Sequence, residues 1–328
     1  MRSNEIQPVS RGSDDLVKLV ARLYHIDGLG QSEVAEIVGI SRSQVSRVLT
    51  RARETGIVRI SVEEYQARSR ELEDDFVASF GLKHAIVVRT APDAAAESVR
   101  RTVGYFAVPF VSELIRPGTV LGVAGGRTIY ELVRHLMPTN GAEGVTVVQL
   151  MGNIGASVNN TDAIEICRTL AHCLNGLFYT VNSPAFAADA RSRDIFLAHQ
   201  DVRAVWQLFG AMHIALVGIG TLRDSSFIAR GALSQSDIEL LQAQGAVGEI
   251  CGRFFDSQGR ECDTDFRDRV MSIGLDELAQ KENAIGITQG AGRAEAIRAA
   301  LSGGLIKSLV IDEAGATAVL AQAGGPPR

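Results

Sequence analysis

The stretch TVLGVAGGRTIYEL, residues 119–132, decides the fold of most of this chain. An apolar segment leads into Gly125 and Gly126, and Arg127 and Thr128 then begin a helical pattern. This order is typical of parallel α/β sheets, which bind ligands beyond the carboxyl ends of their strands. Backbone N–H groups and the positive end of the helix favour an anion there. The stretch therefore predicts a strand, a tight loop and an anion-binding helix start.

Similar apolar segments recur along the chain on both sides of this stretch. They are HAIVV (84–88), VTVVQLMG (145–152), LFYTVN (177–182), HIALVGIG (213–220), AIGITQG (284–290) and KSLVID (307–312). Amphipathic stretches, such as those at 93–115, 162–175 and 293–301, separate them. Buried parallel strands with crossover helices produce this alternation. We expect a doubly wound parallel sheet, whose strand order the sequence leaves open.

Three further loops have the same glycine-rich character as the first. QLMGNIG (149–155) supplies Gln149 and Asn153, and GIGTLRDSS (218–226) is rich in glycine and hydroxyl groups. In ITQGAGRAEAIRAAL (287–301), Gly290 and Gly292 precede Arg293. Each loop alone could be a tight turn, but four together favour an anionic ligand. A P-loop is excluded because no GxxxxGK[ST] motif is present.

The N-terminal part has a different periodicity, that of three short helices. Apolar residues recur at helical spacing over 16–26, and the sequence DGLGQ (27–31) follows. QSEVAEIVGI (31–40) predicts a second helix with Val34, Ala35 and Ile37 facing inward, and SQVSRVLTRARETG (43–56) predicts a third helix. The small Ala35, then Gly39, then Val45 are what two helices need to cross through a short turn. The pattern predicts a helix-turn-helix.

The third helix has the composition of a DNA-reading helix. Arginines and small polar side chains occupy it from Arg42 to Arg53 with no acidic residue. Side chains at the start of such a helix reach base edges, and later arginines meet phosphate. The expected DNA contacts are Gln31, Ser41, Arg42, Ser43, Gln44, Ser46, Arg47 and Arg51. The alternative is a solvated charged helix. IVRISVEE (57–64) predicts a short strand that could form a wing beside the helix-turn-helix.

Composition limits the class of protein. The 328 residues are 46% apolar, enough for one large core and one small core. The net charge of −5 divides into +2 over residues 1–61 and −7 over the remainder, which suits a DNA-binding head on an acidic body. The N-terminus is polar, and no apolar segment of membrane-spanning length occurs. We expect a cytoplasmic protein with no membrane partner.

Cysteine usage gives no sign of a metal or disulfide framework. Cys167, Cys173, Cys251 and Cys262 show neither CxxC spacing nor a paired histidine cluster. We expect reduced thiols, no metal and no cofactor.

The predicted domains are a helix-turn-helix domain (1–62), a linker helix (63–82) and an effector-binding domain (83–328). The charged segment YQARSRELEDDFVASF (65–80) could join the domains or pair two chains. One such head makes few phosphate contacts, so useful affinity normally needs two heads on a palindromic site. The chain is therefore expected to be a homo-oligomer that binds a palindromic double-stranded DNA operator.

The chain resembles the SorC family of sugar-binding transcriptional regulators over nearly its whole length. The resemblance is carried by residues 20–60, GVAGGRT (122–128), GIGTL (218–222), residues 231–259 and residues 290–320. It implies a winged or helix-turn-helix head, a body related in fold to sugar-phosphate isomerases, and tetramers. It also implies a repressor of a carbohydrate-catabolic operon, controlled by a phosphorylated sugar or polyol.

The resemblance also assigns roles within the glycine loops and beyond them. Gly125, Gly126 and Thr128 would hold a phosphate with help from Arg293. Gln149 and one of the acidic residues Glu249 or Asp256 would meet sugar hydroxyls. The full expected effector site is Gly125, Gly126, Arg127, Thr128, Gln149, Asn153, Glu249, Asp256, Gly290 and Arg293. Gly125 stands where relatives have Trp, and Arg293 where they have Lys. The second departure replaces the compact ammonium group of Lys with the planar, forked guanidinium group of Arg.

Two other functions compete with this one. A sugar-phosphate isomerase with an accessory DNA-binding head would need a positioned acid and base. The six histidines lie mostly in predicted helices or strands instead of the glycine loops, so no catalytic residue is expected. A DNA-binding head on a purely oligomerising body would leave the glycine loops without a role.

Overall fold

The computed structural model describes residues 11–60, 66–137, 143–223 and 226–324. The chain divides into two compact units, Met1–Tyr65 and Gln66–Arg328.

The first unit is a head of three helices. They are α1 (Arg11–His25), α2 (Gln31–Val38) and α3 (Arg42–Glu54). Gly39 ends α2 with a φ of 74°, a left-handed conformation that glycine adopts without a Cβ penalty. Val20, Val34, Val45 and Leu49 form the buried centre where the helices meet. The predicted helix-turn-helix is confirmed.

Two details of the head differ from the sequence prediction. The sequence predicts that Ile37 faces inward, but 61% of its surface is exposed. Val38, four residues after the buried Val34, packs inward instead, because that spacing keeps a side chain on one helix face. No strand forms over 57–60, where the predicted wing would begin, and residues 61–64 lie outside the described part of the chain.

The second unit is built on a parallel sheet. In the described part of the unit the strands are β1 (His84–Val88), β2 (Val120–Val123), β3 (Thr146–Gln149), β4 (Leu177–Tyr179), β5 (Ile214–Val217), β6 (Gly248–Ile250), β7 (Arg253–Phe255), β8 (Asn283–Ile287) and β9 (Ser308–Asp312). Seven of them form one sheet in the order β1-β9-β8-β5-β2-β3-β4, with every pairing parallel. The predicted doubly wound sheet is confirmed. β6 and β7 pair as a separate antiparallel hairpin, which the sequence analysis did not predict.

Helices connect the strands of this unit. The described helices are α4 (Arg70–Phe80), α5 (Ala96–Leu114), α6 (Arg127–Val133), α7 (Ala163–Cys173), α8 (Ala190–Ala198), α9 (Gln200–Gly210), α10 (Ser226–Ala229), α11 (Gln235–Ala243), α12 (Asp265–Arg269), α13 (Leu275–Ala279), α14 (Ala294–Ser302) and α15 (Glu313–Gln322), with a 3₁₀ turn at Ala291–Arg293. Every residue of β5 and β9 is buried, as expected when helices cover both faces of a sheet.

The helix predicted as a linker packs into the second unit. Phe76 of α4 is fully buried in the core of that unit. Glu73, 4% exposed, accepts hydrogen bonds from the Arg68 guanidinium and from the backbone N–H of Val87 in β1. Arg68 also forms an antiparallel bridge with Val88. These contacts fix residues 66–80 to the edge of the sheet.

The strand order places a topological switch point between β2 and β5. After β2 the chain continues through α6 to β3 on one side, while β5 and β8 lie on the other side. Ligands of open α/β sheets bind in the crevice that such a reversal leaves at the carboxyl ends of the strands.

Candidate functional site

A cavity of about 670 Å³ lies at this switch point. Most of its lining comes from the ends of β2, β3, β5 and β8 and the residues that follow them, and Arg100 of α5 and Glu249 of the hairpin also line it. The volume is within the range of about 300–1,000 Å³ that is usual for small-molecule sites.

At the switch point, the loop after β2 lies against the segment that leads into α7 and beside the loop after β5. A Cβ built on Gly125 would lie 3.0 Å from the backbone nitrogen of Ala163, and one on Gly218 would lie 3.9 Å from the Gly125 carbonyl oxygen. Gly126 has a φ of 146° and donates its N–H to the Thr161 carbonyl at 2.9 Å. A Trp at position 125 would need the segment around Ala163 to move, so this glycine determines the shape of the cavity wall.

The structure brings most of the predicted effector residues together. Eight line the cavity: Gly125, Gly126, Arg127, Thr128, Gln149, Asn153, Glu249 and Arg293. Gly290 and Asp256 are not among the lining residues. The Gly290 N–H donates to Asp312 at 2.6 Å, and Asp256 accepts hydrogen bonds from its own turn and from the Arg260 guanidinium. Asp256 therefore holds the turn after β7 and is left out of the site proposed below.

Gln149 lines the cavity, but its amide is occupied by the protein. The nitrogen donates to the Met151 carbonyl at 2.6 Å and to Asn153 Oδ1 at 3.0 Å. The oxygen accepts from the Thr180 hydroxyl at 2.7 Å and from the Val181 N–H at 3.2 Å. Since both amide protons and the oxygen have partners, Gln149 orients Asn153 and the end of β3.

Glu249 is held against the loop that follows β5. Its backbone exchanges two hydrogen bonds with Gly220, and a Cβ on Gly220 would lie 2.1 Å from the Glu249 carboxylate. Oε2 accepts the Gly252 N–H at 2.9 Å. Burial raises the pKa of Glu249 to about 7, against the lowering effects of the Gly252 N–H and the Arg293 guanidinium. The carboxyl can therefore donate or accept a hydrogen bond near neutral pH.

The cavity is richer in cations than the sequence analysis predicted. Beyond Arg127 and Arg293, the described lining includes Arg100, Arg223 and Arg230. Its acidic members are Asp162 and Glu249. Arg230 forms an ion pair with Asp162, 68 positions away in the chain, and no local motif marks that pair. The surplus of guanidinium groups suits a ligand that carries negative charge.

The head presents the predicted DNA-contacting residues on its surface. Arg42, Ser43, Ser46, Arg47 and Arg51 are exposed on α3, and Gln31 is half-buried at the start of α2. Ser41 and Gln44 are exposed as well, but they form the reciprocal capping box of α3. Satisfying N–H groups at the start of the helix is therefore one role of these two side chains.

Other classes of site have no counterpart in the part of the chain that the structure describes. There is no group of three or more potential metal-ligating His, Cys, Asp or Glu residues. No described helix is long and apolar enough to cross a membrane. The four cysteines are free, and burial raises the pKa of Cys167 and Cys251.

Two protein families match the two units. Residues 65–321 match the family described as "Putative sugar-binding domain", and residues 14–59 match the "Homeodomain-like domain" family.

Relatives of the whole chain are named as regulators. The transcriptional regulator LsrR of Enterobacter sp. (strain 638) is 30% identical over 95% of this chain and 94% of its own length. The deoxyribonucleoside regulator of Bacillus subtilis (strain 168) is 31% identical over 92% of this chain and 95% of its own length.

A solved structure matches both units. The full-length sorbitol operon regulator SorC of Klebsiella pneumoniae covers 97% of this chain and 100% of its own, with a TM-score of 0.75 and 27% identity. These similar proteins are regulators, so they do not favour the enzyme hypothesis.

Proposed function

Because this chain belongs to the SorC family of sugar-binding transcriptional regulators, we propose that a phosphorylated sugar or polyol in the cavity controls its binding to an operator. The chain is a DNA-binding transcriptional regulator and not an enzyme. The regulated genes would form a carbohydrate-catabolic operon, and the regulator would act as its repressor in the cytoplasm.

The observation that carries the proposal is the composition of the cavity. Five arginines and two acidic residues line it within the described chain, and Glu249 has a pKa of about 7. An excess of fixed positive charge favours a dianionic phosphate over a neutral ligand. Asn153, Thr128 and Glu249 would supply the polar contacts that sugar hydroxyls need.

The head would read DNA through the first turns of α3. Arg42, Ser43, Ser46 and Arg47 would reach base edges in the major groove, and Arg51 would contact phosphate. Gln31, Ser41 and Gln44 would complete the surface, with Ser41 and Gln44 also fixing the start of the helix. A palindromic operator contacted by two heads of a homo-oligomer, a tetramer in our proposal, would supply the necessary affinity.

Control requires that the effector bind two arrangements of the oligomer with different affinities. A ligand that binds both arrangements equally cannot shift their populations. The proposed effector would prefer the arrangement in which the heads no longer match the spacing of the half-sites. Operator release would then follow from linkage between the two binding equilibria.

Fluorescence anisotropy with the full-length protein and its native promoter tests this function. The titration is repeated with pentose and hexose phosphates, polyol phosphates and their unphosphorylated parents. We expect at least one phosphorylated compound to weaken operator binding while its parent does not. Specific DNA binding that no compound alters would refute the effector role, and absence of specific DNA binding would refute the operator role.

A further inference from the structure

The ion pair between Arg230 and Asp162 lies in the cavity lining and is mostly buried. The two side chains are 14% and 13% exposed. Arg230 donates from Nη1 to Asp162 Oδ1, and from Nη2 to the carbonyl oxygen of Ser157. One guanidinium thus joins the segment after α10 to the segment that leads into α7.

Asp162 has a second partner that does not depend on Arg230. Its Oδ2 accepts the Asn159 N–H at 2.8 Å, which closes a turn before α7. Asn159 Oδ1 in turn accepts the N–H and the hydroxyl of Thr161, at 3.0 and 2.8 Å. If Arg230 moved to another anion, Asp162 would keep one hydrogen bond, and the turn would keep its own contacts.

The same turn before α7 also contacts the glycine loop that contains Gly125 and Gly126. The Thr161 carbonyl accepts the Gly126 N–H at 2.9 Å, and Gly125, Gly126, Thr161, Asp162 and Arg230 all line the same cavity. An anion bound at the glycine loop would therefore lie beside a guanidinium that already faces a carboxylate. Two anions close together at one cation repel each other, so ligand and Asp162 compete for Arg230.

From these contacts we propose that Arg230 is the cation that selects a phosphorylated effector, and that Asp162 is the internal anion which the phosphate displaces. A phosphate accepts the two parallel N–H groups of an arginine as a carboxylate does, and it carries more charge. A neutral sugar could not replace Asp162, because a buried guanidinium without an anion is strongly destabilising. The exchange would thus discriminate a phosphate ester from its parent.

This inference rests on the proposed function, since it assigns the phosphate end of the same effector site. It also assigns a consequence to binding. When Arg230 turns to the ligand, the Ser157 carbonyl and the Asp162 carboxylate lose the contact that ties their segment to α10. Effector binding would then free the segment 157–162 from this tie.

Calorimetric titration of the full-length protein with inorganic phosphate, and with sugar phosphates and their parents, tests the exchange. D162N keeps an oxygen for the Asn159 N–H but removes the competing charge, so it should bind inorganic phosphate and the ester about tenfold more tightly. Affinity for the unphosphorylated parent should stay the same. In R230Q, the ratio of ester affinity to parent affinity should fall by roughly 100-fold. In R230K this ratio should lie between those of R230Q and the wild type.

Glu165 supplies the matched control. It lies on α7, pairs with Arg168 outside the cavity, and is three positions from Asp162. E165Q removes the same charge from the first turn of the helix that Asp162 precedes, and it should change each affinity by less than about twofold. Thermal melting of every variant identifies any loss of folding, and R230K and R230Q keep the test open if D162N is unstable.

The outcomes separate the exchange from the proposed function. Equal ester affinity in D162N and wild type, or an ester preference that survives in R230Q, overturns the exchange. If a phosphate ester still weakens operator binding in that case, the proposed function stands without the exchange. A third outcome is that the affinities of the variants for inorganic phosphate follow the predicted order while no sugar phosphate binds. This outcome supports the anion subsite and refutes the proposed effector class. Absence of phosphate binding in every variant overturns the inference.

Discussion

The carboxyl group of Glu249 is partly protonated near neutral pH. Its pKa of about 7 lies above the ordinary value of 4.5, because burial penalises the charged form. The folded protein therefore holds this proton between pH 4.5 and about 7, where the unfolded chain has lost it. Linkage then requires that the free energy of unfolding fall as pH rises through this interval, and level off above pH 7.

Replacement of Glu249 by Gln should remove that decline. The group contributes a loss on the order of 3 kcal/mol between pH 4.5 and 7, so E249Q should flatten the pH profile by an amount of this order. Urea unfolding followed by the fluorescence of Trp206, the one tryptophan of the chain, measures it in the second unit. E165Q is the control, since it removes a carboxylate that pairs with Arg168 outside the cavity. A profile that E249Q leaves as steep as in the wild type would contradict the assignment.

Arg47 and Arg51 should separate base reading from phosphate contact. Arg47→Ala should cost about 1–3 kcal/mol on the operator and little on a random duplex, because a base contact is lost. Arg51→Ala should weaken binding to both duplexes alike and reduce the slope of log K against log salt by about one per head. Anisotropy titrations at several salt concentrations test this. The assignments are wrong if the two variants lose affinity for the two duplexes in the same ratio.

At the scale of elements, the head depends on one small core. Leu49, 4% exposed, packs with Val20, Val34 and Val45, whereas Ile37 is 61% exposed. Leu49→Ala should destabilise the head by about 2–4 kcal/mol through a lost buried side chain and the cavity left behind. Ile37→Ala should change its stability by less than about 0.5 kcal/mol.

Hydrogen exchange of the α3 amides resolves the head from the rest of the chain and measures both values. If Leu49→Ala and Ile37→Ala destabilise the head equally, then Ile37 faces inward as the sequence predicts.

The sheet was predictable because buried parallel strands leave a strong signal. Each of its seven strands contains an apolar run, and glycine follows several of them where the chain turns towards a helix, as Gly125 follows β2. The hairpin β6–β7 was missed because strands of three residues are too short to show alternation. The sequence predicts the wrong orientation for Ile37 because an eight-residue helix offers too little periodicity to fix its buried face.

The cavity was predictable only in part, for a related reason. The glycine loops and Arg293 carry local patterns, so they could be found along the sequence. Arg230 and Asp162 meet only because the fold brings distant segments together. The saturated amide of Gln149 likewise depends on Thr180 and Val181, which follow the neighbouring strand β4. Pairings of this kind follow from strand order, which local periodicity does not encode.

At the scale of the whole molecule, a series of contacts joins the edge of the cavity to the start of the second unit. Asp312 accepts the N–H of Gly290, next to the cavity residue Gln289. The adjacent Glu313 pairs with Arg89 at 3.6 Å. Arg89 donates its guanidinium to the Gln66 carbonyl at 3.4 Å and its backbone N–H to the Ala67 carbonyl at 2.9 Å. Gln66 is the residue at which the second unit begins.

Arg89→Ala should therefore weaken the coupling between effector and operator. Its side-chain contacts are half-exposed, so we expect a loss of about two- to fivefold in the ratio of operator affinities without and with effector. Effector affinity in the absence of DNA should stay within about twofold. Lys83→Ala, which removes an exposed ion pair with Glu282, is the control. A wild-type coupling ratio in Arg89→Ala would show that these contacts carry no signal.

The central claim is that effector and operator binding are linked through one chain, and linkage is reciprocal. The most direct measurement is the affinity of the full-length protein for its phosphorylated effector, with and without saturating operator DNA, beside the operator affinity with and without effector. The account predicts that both affinities weaken by the same factor, about 5- to 150-fold. An effector affinity that the operator leaves unchanged would contradict it.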